Sequence, residues 1–153
     1  MRHFFCLGRD CKALCNSQEG SSLMALANAM GTERAQLFVL RYRSPGKLMT
    51  AYTNAATRYG HALSRCDFKE ANRQADRLNK LHLALRSRPH DSRVAFLLPL
   101  LNHIQIGVRL WAAAHVLEFA PQLAEPVLDR LMSAEGLASQ IAAATLRDWH
   151  SGR

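Results

Sequence analysis

The sequence predicts an all-α protein, a short α-solenoid formed by a right-handed stack of antiparallel helix pairs. Three observations predict it. Apolar residues recur at helical spacing, as Val94, Leu97, Leu98 and Leu101 do at i, i+3, i+4 and i+7. The stretch GVRLWAAAHVLEF, residues 107–119, is apolar around so much of a helix that neighbours must cover it on most sides. The C-terminal half also repeats. A shift of 29 lays GVRLWAAAHVL on GLASQIAAATL, and a shift of 30 lays Val94, Leu97, Leu98 and Leu101 on Ala124, Val127, Leu128 and Leu131. Units of this size cannot bury their apolar faces alone, so they stack.

Each element follows in order. Residues 1–44 read as an N-terminal extension, partly helical (22–30 and 33–42) or disordered, and Ser44-Pro45-Gly46 marks the boundary with a helical domain over 45–153. Residues 47–66 place Leu48, Tyr52, Ala55, Tyr59, Ala62 and Cys66 on one stripe. Asp67, with Glu70 three residues on, opens a second helix in the manner of a capping box. Its apolar face is Phe68, Ala71, Ala75, Leu78, Leu81 and Leu85, and Arg88-Pro89 ends it. A third helix, 91–103, is capped by Asp91 or Ser92 and kinked at Pro99. In 107–119, Ala112, Ala113 and Ala114 favour helix and let neighbouring helices approach closely, while Trp111 and Leu117 fill the space at either end. Pro121 suits the first position of a helix over 121–133, Pro126 should delay its regular start to about Glu125, and a last helix covers 136–149.

The net charge of +8 is unevenly placed. Residues 1–40 carry four basic and three acidic groups, residues 41–93 twelve against four, and residues 94–153 four against five. The middle third can therefore steer acidic partners, protein or nucleic acid. No stretch is apolar enough to span a membrane and the N-terminus is too short for a secretory leader, so a cytoplasmic protein is expected. Cys6, Cys11, Cys15 and Cys66 lack the paired spacing of a zinc site and read as reduced thiols. No cofactor is expected.

At HIQIGVRLWAAAHVLEFAPQLAEPVL the chain resembles HEAT-like repeat proteins, in which V-R-x-x-A-A opens the second helix of a pair. The order LRSRP, LLPLLNH, VRLWAA, FAP and a terminal Trp149-x-Ser151-Gly152 resembles a family of small bacterial proteins known as a domain of unknown function, over about residues 47–152. The resemblance implies a HEAT-like all-helical fold and carries no activity, substrate or site residue.

Lys69, Arg73, Arg77 and Lys80 fall within less than a quarter of a helix circumference, opposite the apolar face, with Asp76 among them. This is a solvated face or a docking stripe for an acidic surface, and Arg86, Arg88 and Arg93 would extend it around the helix end. Arg109 should pair with a carboxylate or carbonyl of a neighbouring repeat, or else join the partner-binding cations. His82 and His115 read as packed or solvated rather than as ligands, and no metal pair, nucleophile elbow or phosphate-binding loop is present. The chain is therefore expected to be a non-enzymatic protein–protein interaction module, an adaptor or immunity-type binding protein docking an acidic partner. The alternative is a nucleic-acid-binding protein using residues 65–93 on the phosphate backbone.

Overall fold

The computed structural model describes residues 44–152. The helices expected at 22–30 and 33–42, and Cys6, Cys11 and Cys15, lie outside the described residues. Within them the chain is all-helical: α1 Pro45–Ser64, α2 Phe68–Arg86, α3 His90–Leu97 running into a 3-10 segment Leu98–Asn102, α4 Ile106–Val116, α5 Pro121–Met132 and α6 Leu137–His150.

Local chemistry accounts for the boundaries. Pro45 supplies a preset φ at the first turn of α1. The helix closes at Cys66, whose φ of +56° lets its N–H reach the Leu63 carbonyl and the Asp67 N–H reach that of Ala62. This closure usually employs glycine. Cys66 thus belongs to the turn and is exposed, not the last member of the α1 apolar stripe. Asp67 caps α2 as expected, its Oδ1 accepting from the Glu70 N–H at 3.0 Å. The reciprocal half of the box is absent, because Glu70 accepts from Gln74 Nε2 and pairs with Arg73.

Two boundary expectations fail for identifiable reasons. Pro89, not Asp91 or Ser92, caps α3, and its carbonyl already accepts from the Ser92 and Arg93 N–H groups. Pro126 does not delay α5, which is regular from Pro121. There the burial of Ala124, Val127, Leu128 and Leu131 outweighs one missing hydrogen bond. Pro99 does what a proline inside a helix does, converting the end of α3 to the tighter 3-10 form.

The short turns make the helices alternate in direction. The turns 65–67, 103–105 and 133–136 therefore share one end of the molecule, and the turns 87–89 and 117–120 share the other. α1 packs on α2, α4 and α6, and α4 packs on α1, the 3-10 segment, α5 and α6. α4 is the central helix, and Val108, Leu110, Trp111, Ala112, Ala113 and Val116 are all fully buried. Side chains of this kind contribute roughly 1.5–3 kcal/mol each when buried, alanine less. Along the α1–α4 seam, Gly60 meets Gly107 backbone to backbone.

The repeated segments match in environment only in part, since fully buried Trp111 falls on exposed Gln140 and fully buried Leu110 on half-buried Ser139. Ala113 and Ala142 are buried, as are Leu117 and Leu146, and Leu97 and Leu101 correspond to buried Val127 and Leu131. The aligned glycines differ in their reasons. Gly107 is required by close approach to α1, whereas Gly136 has a φ of +91° ahead of α6 and open space around it.

Candidate functional site

α2 is amphipathic, and its packed side consists of Ala71, Gln74, Ala75, Leu78, Leu81, His82, Ala84 and Leu85. That forces Lys69, Arg73 and Arg77 into solvent on the far side, with Lys80 half-buried beside them. Arg73 is tied to Glu70 at 2.9 Å. Lys69 and Arg77 have no ion-pair partner among the described residues.

The other expected cations do not continue this row. Arg86 lies on another side of α2, its Nε 3.6 Å from Glu118 Oε2. Arg93 is half-buried, with its guanidinium 5.8 Å from the centre of the Phe119 ring. Arg88 is half-buried near the end of α2. Arg109 is apart from all of them. Its Nη1 donates to the carbonyls of His103 and Ile104 at 2.8 and 3.0 Å, bracing the turn before its own helix rather than a neighbouring repeat.

Beneath the Arg86 end of α2 lies a polar cluster inside the core. Tyr52 of α1 and His115 of α4 are joined by a 2.8 Å hydrogen bond between Oη and Nδ1. The imidazoles of His82 and His115 stack at 3.8 Å with an interplanar angle of 11°. His82 Nε2 is 3.3 Å from Glu118 Oε2, off the line of a good hydrogen bond, and its Nδ1 is buried without a partner. Phe96 closes the cluster edge-on against Tyr52, and Trp111 lies tilted against His115.

The electrostatics follow from this enclosure. Burial pushes the Tyr52 phenol well above its ordinary range. Burial, and then the neighbouring His82, hold His115 well below the usual imidazole value, so it stays neutral. With the phenol protonated and the imidazole neutral, the O–H can donate to Nδ1. The His82 contact, aided by Arg86 and Arg93 against partial burial, lowers the Glu118 carboxyl. The cluster ties α1, α2 and α4 together. Among the described residues no group of three His, Cys, Asp or Glu side chains is placed to hold a metal ion. No described helix is long and apolar enough to cross a membrane.

The pairing of His82 with His115 was not visible in the sequence. The two lie in helices separated by the whole of α3, and periodicity places each only on an interior face. Glu118 was hidden for the same reason. It follows α4 in a turn, and only the packing of α2 brings a cation and a histidine to it.

An exposed basic helix, a packed polar cluster and paired antiparallel helices define an all-helical protein of small size. Residues 46–148 match the family described as Domain of unknown function (DUF2019), and the chain belongs to that family. Its fold is similar to that in the crystal structure of the protein RPA1889 from Rhodopseudomonas palustris CGA009. That likeness has a TM-score of 0.66 and 24% identity, and covers 74% of this chain and 93% of that one. No curated protein matches the chain.

Proposed function

We propose that the protein is a non-enzymatic protein–protein interaction module of the cytoplasm, adaptor-like or immunity-like, whose α2 face docks an acidic partner. In architecture it is a short HEAT-like stack of three helix pairs. The inner layer is α1, α4 and α6, so the first pair runs in the reverse chain order to the other two. One observation carries the functional reading: Lys69, Arg73 and Arg77 stand in an exposed row on a helix that packs only by its opposite side. The enclosure of the Tyr52, His82 and His115 side chains supports a structural rather than chemical use of the titratable interior.

The test is a pull-down from native lysate with the full chain and with a Lys69→Glu, Arg73→Glu, Arg77→Glu, Lys80→Glu variant of confirmed helicity. An acidic protein retained by the wild type and lost by the variant supports the proposal. Equal retention by both refutes the basic row as the site. If duplex DNA is retained instead, with affinity falling steeply as salt rises, the row serves the phosphate backbone.

A further inference from the structure

Six large apolar side chains stand exposed among the described residues, and four of them gather at one end of the molecule. At the three turns that share this end, Phe68 is 45% exposed, Ile104 84%, Ile106 39% and Met132 44%. A lone exposed isoleucine is ordinary; an apolar residue at every turn of one end is a surface feature. The central turn is also held in shape. Arg109 donates to two of its carbonyls, and the Gln105 N–H donates to His103 Nδ1 at 3.1 Å. Polar bonds thus fix a backbone whose outermost side chain is Ile104.

The charge at this end is basic at the 65–67 turn, while the 133–136 turn carries the exposed Glu135. Arg65 and Lys69 are exposed beside Phe68. Asp67 is taken up by the α2 cap, and Glu70 by Gln74 and Arg73. We infer that this turn end is a docking surface for an acidic amphipathic segment of a partner protein, with apolar side chains on the turn tips and carboxylates toward Arg65 and Lys69. The inference rests on the acidic-partner reading above and names the chemistry of that partner. Adjacent helices pack 8–10 Å apart, so the three turns span roughly 20 Å. A helix of about 13 residues has that length.

The experiment is selection of displayed random peptides of about that length against the full chain, followed by binding of the enriched peptides to variants. Ile104→Asp changes a side chain that supports no core packing, and circular dichroism verifies its fold. Enriched peptides should combine Asp or Glu with large apolar residues at helical spacing. They should bind about tenfold more weakly to Ile104→Asp and to Lys69→Glu. Absence of enrichment, or enriched peptides without acidic residues, would overturn the inference. If binding is lost with the four-glutamate α2 variant but unchanged by Ile104→Asp, the inference fails while the basic-face reading stands. Two further results would also overturn it by assigning another occupant. One is dimerisation abolished by Ile104→Asp, and the other is Ile104-dependent binding to vesicles rich in phosphatidylserine.

Discussion

Between α1 and α4, Tyr59 packs edge-on against Trp111, and the contacts on either side of that pair follow opposite rules. Near the turn end, the seam is made of glycine, with Gly60 and Gly107 facing each other without side chains. Near the other end the same helices meet through a hydrogen bond between Tyr52 and His115, under the stacked ring of His82. The first contact has no room for added volume. The second has ample atoms but no provision for added charge. One helix pair is thus held by a steric condition at one end and a protonation condition at the other.

Breaking the steric end should have the largest effect. A Cβ at Gly107 would lie 2.3 Å from the Ala56 carbonyl oxygen and 2.9 Å from the Gly60 nitrogen, both backbone atoms that no rotamer change can move. Gly107→Ala should cost about 3 kcal/mol, the upper part of the overpacking range, despite alanine's better helix propensity. Urea denaturation measures it, and a loss under about 1 kcal/mol would mean the helices separate easily.

Acid should break the other end. The folded pKa of His115 lies below its ordinary 6.5, so the unfolded chain takes up a proton first as pH falls. The stability this contributes is complete above about pH 7 and is lost progressively below 6.5, by up to about 1.4 kcal/mol per pH unit. Glu118, also lowered, adds its loss only at more acidic pH, below its ordinary 4.5. Unfolding free energies between pH 7.5 and 5 should therefore fall in wild type and flatten in His115→Leu. Parallel curves would remove His115 as the group responsible.

Tyr52→Phe should cost about 1 kcal/mol by leaving His115 Nδ1 without its partner. A double-mutant cycle with His115→Leu should show coupling of about the same size. The smallest effect sharpens the steric side. A Cβ at Gly60 would sit 3.2 Å from the Gly107 nitrogen, tight but not impossible, so Gly60→Ala should change stability by less than about 1 kcal/mol. If the two glycine variants prove equal, the seam is a general crowding and not a contact centred on Gly107.

Much of the fold is legible one helix at a time. The stripe Leu48, Tyr52, Ala55, Tyr59 and Ala62 is buried, Asp67 caps α2, and Trp111 is a core residue, because each depends on a local period or cap. Adjacency is a different matter. Nothing in the spacing of α1 says that it lies along α4, so the meeting of Gly60 with Gly107 and of Tyr52 with His115 emerges only from the packing. The basic row was legible as a helical stripe, whereas its supposed continuation was not. Helical angle alone could not show that Arg86 turns toward Glu118, or that Arg109 holds its own turn. The exposed apolar tips escaped notice because Phe68 read as an interior residue until the helix ends were placed.

The alternation of helix directions settles where attachments fall. α1 starts, and α6 finishes, at the end opposite the three turns. An affinity handle, a fluorescent protein or a surface linker joined at the C-terminus, one residue beyond Gly152, is therefore connected at the far end from Ile104. Immobilised by that route, the molecule stands with its turns toward the solution, like a socket wired from behind.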